Sequence, residues 1–186
     1  MLYIQNVSKH FENEQVLQNF SLYLAAGEHI AIVGKSGKGK TTLLNIIAGF
    51  LQADSGNIQA PKHISMVFQD DRLLNEFSAI DNLRLVCNAG MEQIQTHLQT
   101  LGLAEHMHKT VQEYSGGMKR RLTLARAMLA KSELILLDEP FKGLDEQTKQ
   151  NVMEYCKKNI QGKACILVTH DLQEAKVLGI EQIIEL

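Results

Sequence analysis

A glycine-rich loop between an apolar run and a helix-like run constrains the fold of this chain more than any other segment. Gly34–Thr41 reads Gly-Lys-Ser-Gly-Lys-Gly-Lys-Thr and matches the spacing G-x-x-x-x-G-K-[ST] at every required position. Glycines let the backbone curl so that successive amides point at phosphate oxygens, and the following helix adds its partial positive charge. A Gly/Lys surface turn is the alternative, but Ile30–Val33 predicts a buried strand before the loop and Thr42–Ala48 a helix after it. The segment therefore predicts a site for a nucleoside triphosphate.

The residue types in this loop predict individual roles. Lys40 is expected to reach the β- and γ-phosphates, and the Thr41 hydroxyl is expected to ligate Mg²⁺. The residues predicted to contact the nucleotide here are Gly34, Lys35, Ser36, Gly37, Lys38, Gly39, Lys40, Thr41 and Thr42.

Charge and hydropathy exclude several classes of protein. The 186 residues include 19 Lys and Arg against 21 Asp and Glu, and this net charge of −2 gives no general attraction to nucleic acid or anionic lipid. No apolar stretch approaches the roughly 18 residues that a membrane span needs. Met1–Asn6 lacks the basic start and apolar middle of a signal peptide. We therefore expect a cytoplasmic protein that binds no nucleic acid and reaches a membrane only through a partner.

The alternation of apolar runs with helix-like segments predicts an α/β fold. Continuous apolar runs such as Leu134–Leu137 and Ala164–Val168 suit a mainly parallel sheet buried on both faces, whereas the first strands predict an antiparallel part. Strands are predicted near residues 2–7, 20–25, 29–33, 63–68, 133–138, 164–169 and 181–185. Helices are predicted near residues 40–50, 116–130, 146–160 and 171–178.

One segment differs from the rest, because residues 71–115 contain no convincing strand. They predict helices around Ile80–Cys87 and Met91–Leu101. We therefore predict a single domain, residues 1–186. Its core consists of residues 1–70 and 116–186, and a helical insert of about residues 71–115 extends into the next helix.

Glu133–Pro140 is an apolar strand that ends in two acids. Ligands bind beyond the carboxyl ends of parallel strands, so Asp138 is expected beside the phosphate loop, where it would hold the Mg²⁺ hydration shell. Glu139 could polarise the attacking water as a general base. An ordinary strand-end turn into Pro140 is the alternative, and the upstream phosphate loop favours the catalytic interpretation.

A second helix start, Ser115-Gly116-Gly117-Met118, also suits an anion. Ser115 can cap the helix, and the two glycines leave its first amides uncovered. Taken alone, the turn could be a simple capped helix. One triphosphate cannot easily contact both helix starts within a compact monomer, whereas a head-to-tail pair with twofold symmetry removes the difficulty. We therefore predict an ATP-dependent homodimer.

These motifs, in this order and spacing, resemble the nucleotide-binding subunit of ATP-binding cassette (ABC) transporters over almost the whole chain. Gly34–Thr41 resembles Walker A, Leu134–Asp138 Walker B, and Ser115–Met118 the family signature. Gly143–Asp145 resembles the D-loop. The resemblance implies a P-loop NTPase core, the cofactors ATP and Mg²⁺, and ATP hydrolysis that drives transport.

The resemblance also implies roles for single residues. Gln69 would sense Mg²⁺ and the γ-phosphate, His170 would contact the γ-phosphate, and Phe11 would stack on adenine. Taken alone, Gln69 and His170 could be surface residues and Phe11 a core residue. The catalytic residues that it implies are Lys40, Gln69, Glu139 and His170. The metal ligands are Thr41, Gln69 and Asp138, and the further nucleotide contacts are Phe11, Ser115, Gly116, Gly117 and Asp145.

Two departures and one basic run accompany these motifs. Met118 stands where glutamine is commonest in the family, and Phe11 replaces the commoner tyrosine. Lys119-Arg120-Arg121 is interpreted as a mostly solvated helix face, with a contribution to tuning the signature as the alternative. The chain ends at Leu186, so we expect no C-terminal regulatory domain.

The run Phe68–Phe77 resembles importer ATPases of the nitrate/sulfonate/taurine type, in which Gln-Asp-x-Arg-Leu-Leu follows the strand. The resemblance implies a small anionic or sulfonate/nitrate-like solute and a position on the inner face of the cell membrane. It also implies integral-membrane permease subunits and an extracytoplasmic solute-binding protein as partners. An exporter ATPase, a soluble non-transport ABC ATPase and an unrelated phosphate-loop kinase are the alternatives.

Overall fold

Two β-sheets of opposite type organise the fold in a computed structural model that describes residues 1–12 and 14–186. An antiparallel sheet with the order β2-β1-β4 contains β1 (Leu2–Phe11), β2 (Glu14–Leu24) and β4 (Ser55–Gln59). A parallel sheet with the order β5-β6-β7-β3-β8 contains β3 (His29–Val33), β5 (Ile64–Val67), β6 (Leu134–Asp138), β7 (Ala164–Val168) and β8 (Gln182–Glu185). The predicted α/β fold, with its parallel sheet and N-terminal antiparallel part, is confirmed.

The antiparallel sheet is larger than predicted. β1 and β2 each extend beyond the predicted strands, and β4 was not predicted because Ile58 is its single apolar residue. Ile4 of β1 pairs with Ile58, which brings the two backbones together. A Cβ added to Gly56 would lie 2.5 Å from the Asn6 carbonyl oxygen, so only glycine permits this approach. Tertiary pairing therefore overrides weak local strand propensity here.

The parallel strands are buried on both faces, as their continuous apolar runs predict. Ile30 and Ile32 of β3, with Leu136 of β6, pack against α1 (Lys40–Ile47) and the antiparallel sheet. Ala31 and Ile135, which point the other way, pack in a second apolar cluster. Alternate residues of one strand thus contribute to two cores, because successive side chains leave opposite faces of a sheet.

The second core contains the remaining helices. They are α2 (Ala79–Arg84), α3 (Met91–Thr100), α4 (Gly116–Leu129), α5 (Glu146–Asn159) and α6 (Leu172–Leu178), with short 3₁₀ helices at Ala104–His106 and Val111–Glu113. Every predicted helix is present within a few residues of its predicted bounds. α2, α3 and both 3₁₀ helices lie in the predicted insert, although the division into core and insert stays a prediction. Among the helices of the described residues, none has both the length and the apolar character that crossing a membrane requires.

Cys165 illustrates the depth of the core. Its side chain is fully buried, as its apolar run predicts, and burial raises the pKa of the thiol to about 12. The thiol therefore stays protonated and packs as a small apolar group.

Candidate functional site

An open pocket of about 260 Å³ lies at the carboxyl ends of β3, β5, β6 and β7. Four neighbouring parallel strands end at this edge, so residues that are far apart in sequence converge here. The lining residues are Phe11, Val16, Ser36, Gly37, Gly39, Lys40, Thr41, Thr42, Gln69, Asp138, Glu139 and Val168. The volume is below the roughly 300–1,000 Å³ of pockets that enclose a drug-sized ligand. The pocket is open and is smaller than a cavity that encloses such a ligand.

The glycine loop has the backbone that its sequence predicts. Gly34, Gly37 and Gly39 have φ values of 151°, 84° and 81°. A Cβ on Gly39 would lie 2.6 Å from the Val16 carbonyl oxygen, so β2 packs directly against the loop. These conformations favour glycine and leave the pocket side of the loop to backbone amides.

Lys40 is the first residue of α1, and its side chain reaches back across the loop. It is 8% exposed, and Nζ donates to the carbonyl oxygens of Gly34 at 2.7 Å and Lys35 at 2.9 Å. Both acceptors are neutral, so the ammonium keeps a full charge for a phosphate. Lys35 therefore contributes through its carbonyl rather than by lining the pocket.

Asp138 ends β6 deep in the pocket, with 1% of its surface exposed. Neither carboxylate oxygen accepts a hydrogen bond from the described residues. Burial raises the pKa of this carboxyl, although the nearby Thr41 and Gln69 side chains partly oppose the rise. Gln69 Nε2 donates to Thr41 Oγ1 at 3.2 Å, so the three predicted metal ligands lie together. An unpartnered buried carboxylate beside a hydroxyl and an amide is a donor set that fits Mg²⁺.

Replacing Asp138 with Asn tests this fit without measuring activity. Removing the uncompensated charge is expected to raise the free energy of unfolding of the ligand-free protein by about 1–3 kcal/mol at about pH 8. The variant is also expected to lose the extra thermal stabilisation that MgCl₂ adds to ATP. Thermal and urea unfolding with and without MgCl₂ measure both effects. Glu133→Gln, an exposed acid at the other end of β6, is the control. An unchanged magnesium effect in Asp138→Asn would contradict the assignment.

Glu139 and His170 form a pair at the edge of the pocket. The carboxylate oxygen Oε2 of Glu139 lies 2.7 Å from Nδ1 of the exposed His170. Glu139 has a φ of 47°, a left-handed conformation that costs a non-glycine residue about 1–3 kcal/mol. Its amide donates to the Val168 carbonyl oxygen at 2.9 Å, which helps to hold this conformation. The strained backbone turns the carboxylate of Glu139 into the pocket.

An ion-pair network that the sequence did not reveal positions the His170 loop. Nζ of Lys149, on α5, lies 2.9 Å from the Asp171 carboxylate and 2.8 Å from that of Glu174. Thr169 Oγ1 donates to Glu174 at 2.6 Å. Both neighbours of His170 are therefore fixed, and the network links α5 to the loop.

The second predicted anion site lies outside the pocket. Ser115 caps α4 by accepting a hydrogen bond from the Met118 amide at 3.3 Å. Asp145 caps α5 by accepting one from the Thr148 amide at 3.0 Å. Of the residues that the structure describes, neither 115–118 nor Asp145 lines the pocket. The separation agrees with a site completed by a second chain, which stays a prediction.

Phe11 ends β1 at the mouth of the pocket. Its ring is 46% exposed, so the alternative of a core residue is wrong. Nζ of Lys9 lies 5.5 Å from the ring centroid, which leaves ring surface for another contact. The position suits stacking on a base, as the resemblance implies.

Arg120 contradicts the prediction of a solvated basic face. It is only 4% exposed, and its guanidinium donates to several backbone carbonyls beside the pocket. The helix periodicity of α4 indicated this position. Leu124 is buried and lies four residues after Arg120, and residues four apart share one face of a helix, so Arg120 is on the core-facing side. The interpretation of Lys119–Arg121 as a mostly solvated face was wrong for this residue.

Comparison with known proteins agrees with this geometry. The family described as "ABC transporter" matches residues 17–142. "Aliphatic sulfonates import ATP-binding protein SsuB 1" of Paracoccus denitrificans is 36% identical over 183 residues, which cover 95% of this chain and 75% of that protein. "Bicarbonate transport ATP-binding protein CmpD" of Synechocystis is 34% identical over 201 residues, with 96% and 71% covered.

A solved structure is similar over the whole chain. The ATP-binding cassette MJ0796, in a dimeric post-hydrolysis state bound to ADP and Pi, superposes with a TM-score of 0.84 at 29% identity, covering 100% of this chain and 94% of that one. The family match covers most of the chain, and the two relatives are each more than one-third identical to it. Both findings, together with the similar fold, agree with the pocket and its residues. The chain therefore belongs to the ABC transporter family and is one of its ATP-hydrolysing subunits.

Proposed function

We propose that this chain powers an importer of a small anion as one half of an ATP-dependent homodimer. The observation that carries the proposal is the separation of two anion-binding elements in one chain. An open pocket holds Lys40 and the catalytic acids, whereas Ser115–Met118 lies outside it on an exposed helix start. Neither element alone encloses a nucleotide. Two chains in head-to-tail contact would complete two sites.

In this mechanism the loop amides and Lys40 hold the phosphates from one side. The Gly117 amide and the Ser115 hydroxyl of the second copy of the chain contact the γ-phosphate from the other side. Thr41, Asp138 and Gln69 would hold Mg²⁺, which would neutralise negative charge on the phosphates. Positioning and electrostatic stabilisation therefore account for most of the rate.

Glu139 acts as the general base on the attacking water. Its carboxylate is aimed into the pocket and is hydrogen-bonded to His170 at 2.7 Å, so His170 fixes its orientation. Hydrolysis removes the γ-phosphate that both chains contact, and the dimer opens. Gln69 and His170, which flank that phosphate, would transmit its loss to the segments that follow them.

The names of the relatives and the run after Gln69 favour an importer over an exporter. The two relatives carry "import" of aliphatic sulfonates and "transport" of bicarbonate in their names, and both solutes are anions. Phe68–Phe77 carries the importer-like Gln-Asp-x-Arg-Leu-Leu pattern. A solute-binding protein outside the membrane would deliver the anion, and this chain would lie on the inner face.

A permease contact is best supported on the segment after Gln69. Leu74, Phe77 and Leu85 are exposed there, and large apolar side chains on a surface favour a protein partner. The fully buried Asn82 bonds to the amide and carbonyl of Leu74 and to the Ser78 carbonyl. The exposed side chains are therefore tied to α2 and would move with it as a unit.

Co-purification from detergent-solubilised membranes tests this function. A polytopic membrane protein is expected to co-purify with the parent chain, and Phe77→Ser is expected to lower its recovery by about tenfold or more, as at a contact hot spot. ATP hydrolysis by the isolated variant should stay within about twofold of the parent, because Phe77 is outside the pocket. Tyr23→Ser, at an exposed aromatic of β2, is the matched control.

The identity of the recovered proteins separates the alternatives. A solute-binding protein in the same complex supports an importer, whereas a permease without one favours an exporter. Recovery only with ribosomes or nucleic acid would contradict any transport function.

A further inference from the structure

One buried guanidinium joins the two strand ends that carry the residues facing the γ-phosphate position. Arg120 Nη1 donates to the Phe68 carbonyl oxygen at 2.7 Å and contacts that of Gln69 at 3.4 Å. Nη2 donates to the carbonyl oxygens of Glu139 at 2.6 Å and Asp138 at 3.2 Å. Nε donates to that of Pro140 at 2.8 Å. Two segments that are not linked in sequence thus share one side chain.

All three nitrogens of the Arg120 guanidinium have acceptors. The group has five N–H donors in a planar fork, and six oxygens lie within hydrogen-bond distance of its nitrogens. The Asp71 carboxylate at 3.3 Å supplies the only opposite charge in contact with this guanidinium among the described residues. A lysine has three donors on one atom and cannot reach both strand ends, so charge alone does not reproduce the arrangement.

The hydrogen bonds of Arg120 lie beside Glu139 and Gln69, the two residues with proposed roles in hydrolysis. Glu139 has the left-handed φ of 47°, and both of its backbone groups are bonded: the amide donates to Val168, and the carbonyl accepts from Arg120 at 2.6 Å and from the Lys142 amide at 3.3 Å. Without Arg120, the carbonyl of Glu139 keeps only the longer bond from the Lys142 amide, so the strained backbone is held less firmly. The carboxylate would then leave its position against His170.

Arg120 also lies on the helix that begins at Ser115. Its side chain connects α4 rigidly to the ends of β5 and β6. A displacement of the signature at the start of α4 is therefore transmitted directly to Gln69 and Glu139. Thr123 and Arg126 of α4 also donate to the Asp71 carbonyl oxygen, but the hydrogen bonds of Arg120 reach the ends of both strands.

We propose that Arg120 is a positioning residue for ATP hydrolysis, which holds Glu139 and Gln69 in place relative to the signature helix. This inference rests on the proposed role of Glu139 as general base. Arg120 does not line the pocket, so its effect is on the rate of the chemical step and not on nucleotide binding.

Steady-state and single-turnover kinetics of the full chain test the inference. Arg120→Gln is expected to lower kcat by about 10- to 100-fold, as for a misplaced catalytic group, with KM for ATP within about threefold. Arg120→Lys keeps the charge and is expected to lower kcat to a similar extent. Arg84→Gln and Arg84→Lys, at an exposed arginine of α2, are the matched controls. Thermal unfolding identifies folded variants, and if Arg120→Gln does not fold, Arg120→Lys carries the test.

A double substitution separates positioning from general support of the fold. In a Glu139→Gln background, Arg120→Gln is expected to lower the single-turnover rate by much less than in the parent, because the Glu139 carboxylate is already absent and only the effect through Gln69 remains. An unchanged kcat in both Arg120 variants, a KM that rises as kcat falls, or a full effect in the Glu139→Gln background would each overturn the inference. If Glu139→Gln alone keeps the parent rate, the general-base assignment fails, and this inference fails with it.

Discussion

Replacing Glu139 with Gln is expected to lower the rate of ATP hydrolysis by about 10²–10⁴-fold while ATP binding persists. Glutamine keeps the size of the side chain and can still bond to His170, but it cannot accept a proton from water. The uncleaved ATP would continue to join two chains, so a stable dimer should accumulate. Phosphate release measures the rate, and size-exclusion chromatography with light scattering in ATP measures the dimer.

The control for this variant is Glu133→Gln, which changes an exposed acid at the opposite end of β6. It is expected to keep the parent rate and to show no stabilised dimer. Parent-like hydrolysis by Glu139→Gln would refute the general-base assignment. If hydrolysis is lost but no ATP-dependent dimer forms, the general-base assignment of Glu139 would stand and the site shared between two chains would be contradicted.

Replacing Lys40 with Met is expected to lower ATP hydrolysis by about 10²–10³-fold or more, since the phosphates lose a charged donor that is itself largely buried. Unlike Glu139→Gln, this variant should also bind ATP weakly. Titration with a fluorescent ATP analogue measures the affinity. Lys131→Met, an exposed lysine before the amino end of β6, is the control and should behave as the parent.

Lys40→Met, combined with a second variant, also allows a direct test of the site shared between two chains. Gly117→Asp places a negative charge at the start of α4, where a Cβ has room because its nearest neighbour, Leu144 Cδ2, is 3.7 Å away. An acid in the first turn suits the helix but repels a phosphate. Each variant alone should be inactive as a homodimer. A mixed dimer contains one site with both defects and one site with none.

Mixing the Lys40→Met and Gly117→Asp chains is therefore expected to restore hydrolysis. With random pairing of equal amounts, about half of the dimers are mixed and each has one intact site, so about a quarter of the parent rate should return. No recovery on mixing two well-folded variants would show that the phosphate loop and the glycine turn act in the same chain.

Most of the secondary structure followed from patterns that are local in the sequence. The apolar runs at β6 and β7 predicted strands buried on both faces, and each proved to contribute to two cores. β4 was missed because Ser55–Gln59 has little apolar character, and its strand conformation depends on pairing with β1. Pairing between distant segments leaves no local pattern to detect.

The pocket residues were predicted for a similar reason. Gly34–Thr41 carries its chemistry in consecutive residues, so spacing alone identified it. Arg120 and Lys149 were not identified, because a long cationic side chain is compatible with a solvated or a buried position. The spacing of Arg120 from Leu124 placed it on the core-facing side of α4 but did not show what its guanidinium binds. What distinguishes Arg120 and Lys149 is the set of acceptors around them, and in the case of Arg120 these lie 18 to 52 residues away in the sequence.

The sequence by itself determined the phosphate loop, the strand-end acids, the second helix start and the parallel sheet that brings the first two together. Motif spacing and apolar periodicity encode these features directly, because they depend on covalently adjacent residues. Only the tertiary structure decided that Glu139 has a strained backbone, that Asp138 has a carboxylate without a partner, and that one guanidinium on α4 holds both strand ends. These features arise from burial and from hydrogen bonds between distant segments, so they exist only once the chain has folded.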